Sequence, residues 1–257
     1  MILDLDHTLG CGQVFRWFRE GDWWSGVLGD REVWMRQCQG HLEIRGRVTE
    51  EMVRRYLRAD DDLRLIYREI SADPVVADLV QRYNGLRLIR QDPWECSLSY
   101  LLATHANFPR IQKMVEAVCR EFGRPLDFGR YSFPSPEEIV ERGERARHCG
   151  LGFRCDRMVE FARSVSRGEL DLEALKEMDY LDCVSELKRF RGVGDKVADC
   201  IALFSLEHLN AFPVDVRIKK ALGRHYGVEG SYRRVREFAQ EHFGRFAGYA
   251  QEFLYMG

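Results

Sequence analysis

No run of apolar residues in this 257-residue chain approaches the roughly 20 that a membrane-spanning helix needs, which excludes that class. Met1 leads within a few residues to Asp4 and Asp6, with no apolar leader. The chain is therefore expected in the cytoplasm, or in the nucleus of a eukaryote, and not among secreted proteins. Eight cysteines (Cys11, Cys38, Cys96, Cys119, Cys149, Cys155, Cys183 and Cys200) include no Cys-x-x-Cys pair, which argues against a zinc site. No metal and no cofactor is expected. A chain this long needs no disulfide scaffold, so reduced thiols are the default. Internal repeats and low-complexity segments are absent. An excess of positive charge is missing as well: 39 Lys and Arg stand against 41 Asp and Glu, a formal net charge of −2. That balance is unusual for a nucleic-acid binder.

The average conceals a local excess. From Lys188 to Arg224, eight basic residues (188, 189, 191, 196, 217, 219, 220 and 224) face four acidic ones (195, 199, 207 and 215), a net +4. Basic residues elsewhere are mostly arginine, suited to bidentate phosphate contact, although a solvated charged surface has the same composition. From about Trp23 to Arg47, apolar and polar residues alternate between Gly-Asp and Gln-Gly turns, the pattern of an antiparallel meander. Trp23, Trp24 and Trp34 are expected to pack on a sheet face or in the core. Helical patterns begin near Thr49 and dominate thereafter. Asp92-Pro93 marks a junction, and Ser132 to Pro136 reads as a loop between helices. The expected class is α+β, mainly α. A small antiparallel β-containing N-terminal domain spans residues 1–92, and a helical region spans residues 93–257.

The most informative stretch runs from Leu187 to Cys200 and on through Phe212-Pro213-Val214-Asp215-Val216. Apolar residues at Leu181, Val184, Leu187 and Phe190 mark one helix. Gly192 and Gly194 then allow a sharp reversal through backbone angles closed to other residues. The next helix begins near Asp195 and turns Val197, Ala198, Ile201, Ala202 and Phe204 inward. Its first-turn N–H groups have no internal partner and favour an anion. A plain helix-turn-helix connection fits these features equally well. Lys196 lies in the first turn, with its stem expected to be partly buried and its amine facing a cleft. A lysine amine normally keeps its proton up to pH ~10.4, and a nucleophile must lose it. Burial and the helix N-terminus are the local features able to promote that loss. Asp215 precedes the stripe Ile218, Ala221 and Leu222 and reads as an N-cap. The same residues also suit a snorkelling surface lysine and a simple cap.

Gly192-Val193-Gly194-x-Lys196-Val197-Ala198-Asp199-Cys200 with Pro213-Val214-Asp215-Val216 resembles the helix-hairpin-helix DNA glycosylases, specifically the 8-oxoguanine DNA glycosylase/AP lyase family. So do Gly12-Gln13-Val14-Phe15-Arg16-Trp17, Trp24-Ser25-Gly26-Val27-Leu28, Arg90-Gln91-Asp92-Pro93-x-Glu95-Cys96, Gly150-Leu151-Gly152-Phe153-Arg154 and Tyr249-Ala250-Gln251, in the family's order. The resemblance covers nearly the whole chain. It implies a small α+β domain followed by two helical lobes with a DNA cleft between them. It also implies a bifunctional enzyme acting as a monomer on double-stranded DNA that contains 8-oxoguanine. Lys196 would attack the sugar C1′, expel the base, form a Schiff base and permit β-elimination, with Asp215 stabilising the cationic sugar. Gly12 would offer its carbonyl to N7–H of the lesion, where normal guanine has an acceptor. Cys200 and Tyr255 would flank the extruded base and Gln251 would bond its pairing edge. Arg110 and Arg154 would grip the orphaned cytosine, and Phe153 would act as the wedge. Gly192, Val193 and Gly194 would meet phosphate.

Three positions depart from the family pattern. The asparagine run before Arg110 reads His105-Ala106-Asn107, so the gap-filling asparagine becomes His105. That puts strict preference for an opposite cytosine in doubt. Arg191 replaces a usual proline, and Arg217 a common histidine near the phosphate. No cysteine follows Cys200, where endonuclease III-like relatives hold an iron–sulfur cluster. At the N-terminus, Asp4-Leu5-Asp6-His7-Thr8 matches the D-x-D-x-T signature of haloacid-dehalogenase-type phosphatases. That chemistry needs a downstream lysine among alternating strands and helices, and no lysine precedes Lys113. Two rival readings are a glycosylase for other oxidised or alkylated bases and a non-catalytic hairpin module that binds DNA. Lys196 argues against the monofunctional alkyl-base enzymes, which lack it.

Overall fold

The computed structural model describes residues 1–257, which form one four-stranded sheet and thirteen α-helices. The first helix, α1 (Leu5–Gly10), is capped by Asp4, whose side chain accepts the His7 N–H at 2.8 Å. It spans less than two turns, too few for a hydrophobic stripe to show in the sequence. Its presence also disposes of the phosphatase signature. Asp4 is a cap, and Asp6 is held by Arg19 and by the Trp24 indole N–H at 2.6 Å.

The meander follows as β1 (Phe18–Glu20), β2 (Trp23–Leu28), β3 (Arg31–Cys38) and β4 (His41–Gly46), antiparallel in sequence order. Met35 pairs with Trp24 on one side and Ile44 on the other. Alternation turns Val33 and Met35 into a small core with Leu5, Leu9, Trp17, Leu57 and Ile89. Trp34 takes the opposite face and meets Phe128 edge-on, while Trp23 lies under the guanidinium groups of Arg36 and Arg45. The helix α2 (Glu50–Tyr56), capped by Thr49, closes the buried side.

The remaining helices share one larger core. They are α3 (Leu63–Ile70), α4 (Pro74–Arg82), α5 (Pro93–Leu102), α6 (Phe108–Phe122), α7 (Pro136–Glu141), α8 (Arg154–Ser166), α9 (Tyr180–Leu187), α10 (Asp195–Ser205), α11 (Val216–Tyr226), α12 (Tyr232–Phe243) and α13 (Ala247–Met256). The last of these packs on α3 and α4, so the C-terminal helix closes back on the helices that follow the sheet. No helix is long and apolar enough to cross a membrane.

Gln13 joins the two cores. Its amide donates to the Thr8 and Arg87 carbonyls, both at 2.9 Å, and accepts the Ile89 N–H at 2.8 Å. Its own carbonyl accepts from Gln91 at 2.7 Å and from the Tyr100 hydroxyl at 3.1 Å. Losing one partner of such a buried set costs about 1–3 kcal/mol. The set fixes the neighbouring Gly12 between the sheet and the helices. A second fixed point is Gly248 on α13, where a Cβ would fall 2.1 Å from Leu203 Cδ1 and 2.9 Å from the Leu209 carbonyl oxygen. Only glycine admits that approach of α13 to α10.

Candidate active site

The turn between α9 and α10 needs one glycine for its conformation, not two. Gly192 has φ +97°, and a Cβ there would lie 2.8 Å from Leu101 Cδ1. Gly194 has φ −98° and ψ −176°, an extended conformation open to any residue, so the expectation of a second special angle is corrected. It caps α10, and a Cβ there would meet open space. No side chain caps α10, which leaves its first-turn N–H groups available. Val193 contributes neither side chain nor N–H to a ligand. It is buried, and its N–H is held by the Phe190 carbonyl at 3.0 Å.

Lys196 is exposed as a residue and lines the cavity. It occupies the second position of α10, at the mouth of an open hollow, and forms no ion pair or hydrogen bond. Asp215 caps α11 by accepting the Ile218 N–H at 2.8 Å and is half-buried. Cys200 follows one turn below Lys196 and is buried, and burial pushes its thiol up to about 12. It is therefore an apolar surface and not a thiolate nucleophile.

A cavity of about 340 Å³ brings together both predicted catalytic residues, all the predicted base-pocket residues and Asn107. Gly12, Asn107, Lys196, Cys200, Asp215, Gln251 and Tyr255 all line it. Gly12 has φ +102°, and Asn107 caps α6 by accepting the Arg110 N–H at 3.1 Å. Gln251 is 5% exposed, and its Oε1 has no hydrogen-bond partner. Tyr255 is covered by Arg217, whose guanidinium lies 4.7 Å from the ring and donates to the Tyr255 carbonyl at 3.0 Å. Sequence reasoning missed Phe15, Tyr100, Phe108, Ile111 and Glu252, which also line the cavity. Phe15 lay inside a quoted motif, but the others carry no local signal. Glu252 is 3% exposed, and its carboxyl is pushed up to about 7 by burial, against a hydrogen bond from the Cys11 thiol and with the charge of Asp215 adding to the rise.

Eight predicted residues do not line the cavity: Gly192, Val193 and Gly194 of the hairpin, Arg217 over Tyr255, and four at the starts of α6 and α8 or in the loops before them, two segments that are tied together. His105 is exposed with φ +54°. Arg110 donates to the Gly150 carbonyl at 2.6 Å. Phe153 is 53% exposed, with the guanidinium groups of Arg154 and Arg157 at 4.3 and 4.8 Å from its ring. Arg154 is buried and donates to the carbonyls of Thr104 and Leu151, at 3.1 Å from Nε and 3.2 Å from Nη1. In this arrangement Arg154 braces the loops, whereas Phe153 and Arg110 face outward.

A hairpin lysine and a capping aspartate on one purine-sized hollow define the class of base-excising DNA glycosylases. Residues 2–96 match the family model described as the 8-oxoguanine DNA glycosylase N-terminal domain. The N-glycosylase/DNA lyase OGG1 of Arabidopsis thaliana is 30% identical over 99% of this chain and 77% of its own length. A probable N-glycosylase/DNA lyase of Methanothermobacter thermautotrophicus is 33% identical over 66% of the chain and 62% of its own. The 8-oxoguanine glycosylase/lyase of Clostridium acetobutylicum, solved with double-stranded DNA containing cytosine opposite 8-oxoguanine, superposes with a TM-score of 0.93. It is 32% identical, with 98% of this chain and 90% of that one covered. The chain belongs to the 8-oxoguanine DNA glycosylase/lyase family and is a DNA N-glycosylase with DNA lyase activity.

Proposed function

We propose that this enzyme excises 8-oxoguanine from duplex DNA, acting as a monomer, with Lys196 as the nucleophile. The observation that carries this reading is the convergence of Lys196, Asp215 and the unpaired Oε1 of Gln251 on one cavity. A buried acceptor without a partner is costly, and it becomes satisfied by the N–H donors of a guanine-type pairing edge. Gly12 supplies the discrimination: a carbonyl accepts N7–H from the lesion and faces a lone pair in guanine. Cys200 and Tyr255 supply the apolar and aromatic walls between which the base lies.

Lys196 Nζ, once deprotonated, attacks C1′ as the bond to the base breaks. The carboxylate of Asp215 offsets the positive charge that develops on the sugar. Because Lys196 is exposed in the free protein, the dry surroundings that favour its neutral form are completed by the bound nucleotide. The resulting Schiff base acidifies the sugar C2′ proton and leads to strand cleavage by β-elimination. Outside the cavity, Phe153 fills the gap left by the extruded base, and Arg110 and His105 face the partner strand. The free N–H groups of the hairpin and Arg217 hold phosphates.

Borohydride trapping on a duplex with 8-oxoguanine opposite cytosine tests this reading. A covalent protein–DNA adduct is expected with the wild type and none with Lys196→Gln. Binding without an adduct in the wild type would leave only a DNA-binding hairpin module. An adduct confined to other damaged bases would move the substrate. Repeating the assay with each opposite base measures what His105 does to cytosine preference.

A further inference from the structure

The cavity holds a second carboxyl group that the lysine chemistry leaves unused. Glu252 follows Gln251 on α13, is 3% exposed and lines the cavity, with the Cys11 thiol as the hydrogen-bonding neighbour of its carboxyl. The ionisable groups that face it are Cys11 after α1, Tyr100 on α5, Cys200 on α10, Asp215 at the head of α11, and Tyr255 on its own helix. None of these five is a cation. Lys196 is the one basic residue on the same cavity. Burial therefore holds Glu252 in its neutral form up to about pH 7. Asp215 has a different setting, half-buried at a helix N-terminus with the Ile218 N–H donating to it. Two carboxyl groups in one hollow with unlike surroundings divide into a proton donor and a charge stabiliser.

We propose that Glu252 is a further catalytic residue, the general acid that protonates the departing base. As the C1′–N bond breaks, its electron pair moves into the base, which takes the Glu252 proton and leaves neutral. Lys196 Nζ forms the new bond to C1′. The proton that nitrogen then sheds returns to the Glu252 carboxylate, so nothing is consumed. This step rests on the function proposed above.

Two rates separate the step from a structural role, both measured from about pH 6 to pH 8.5 under single-turnover conditions. One is base excision from an 8-oxoguanine duplex, and the other is strand cleavage at a preformed abasic site. Both need Lys196, but only excision has a base to protonate. Glu252→Gln is expected to slow excision by about 10²-fold and abasic-site cleavage by far less. The wild-type ratio of excision to cleavage should fall above neutral pH, while the ratio for the variant stays flat. Wild-type excision with a pH-independent ratio overturns the step alone, even where the variant is too damaged to cleave. Absence of any wild-type excision overturns the functional reading and the step with it.

Discussion

A carboxyl group buried beside no cation weakens the fold whenever it ionises, and Glu252, with only the Cys11 thiol to offset its burial, is such a group. Its ordinary value of 4.5 rises to about 7 on folding. Between those two limits the folded chain binds more protons than the unfolded one. Stability therefore falls as pH rises through that window and stays lower above it. Glu252→Gln removes the penalty. The variant should match the wild type near pH 4 and exceed it at pH 8 by on the order of 3 kcal/mol. Urea unfolding at the two pH values measures the difference, and a gap that does not widen with pH would assign the titration elsewhere. The contrast with Lys196 and Asp215 shows which residues a sequence reveals. Those two sit beside a glycine turn and a Pro-Val-Asp cap, which are local signatures. Glu252 lies on a helix whose residues 247–254 are all buried, so no polar face sets a cavity-lining acid apart.

At the scale of elements, α9, α10 and α11 were legible to within a few residues, because glycines and caps are written locally. What orders them against one another is not local. Asp199, three residues beyond Lys196, is fully buried and accepts the Tyr180 hydroxyl at 2.5 Å and the Tyr232 hydroxyl at 2.6 Å. The Tyr232 oxygen in turn accepts the Val214 N–H at 3.2 Å, one residue before Asp215. A tyrosine on α12 thus ties the helix of the lysine to the loop of the aspartate, across a separation that no periodicity reports. Burial pushes Asp199 up to about 6 in spite of both hydroxyls and Arg236. Removing a donor makes its ionised form harder still to hold. Tyr232→Phe leaves one Asp199 oxygen short of a partner and the Val214 N–H unpaired, at a cost of about 1–3 kcal/mol. Because the loosened atoms adjoin Asp215, single-turnover excision should drop by more than DNA affinity does. Equal losses in both would mean that the link only stabilises the fold.

For the whole molecule, the cavity is assembled from five distant segments: residues near 12, 100–111, 196–204, 213–215 and 251–255. Motif order announced that they belong together, but only the two cores and the Gln13 joint place them around one hollow. Charge behaves in the same way. The net +4 between Lys188 and Arg224 overstates what DNA meets, because folding pairs Lys188 with Asp195, Arg189 with Glu186 and Arg191 with Glu160. Lys196, Arg217, Lys219, Lys220 and Arg224 form no ion pair. Helical spacing sets Arg217, Lys220 and Arg224 along one side of α11, continuous with the Arg217 that covers Tyr255 at the cavity mouth. This row, and not the overall charge of −2, should govern salt sensitivity. Each phosphate contact contributes about 0.9 to the slope of log affinity against log salt. Lys220→Ala should reduce that slope by about 1, equally for lesion-containing and undamaged duplex. Lys188→Ala, which removes a cation already held by Asp195, should leave it nearly unchanged. Titrations of both variants at several salt concentrations decide the matter, and an equal loss of slope in the two would show that α11 does not face the DNA.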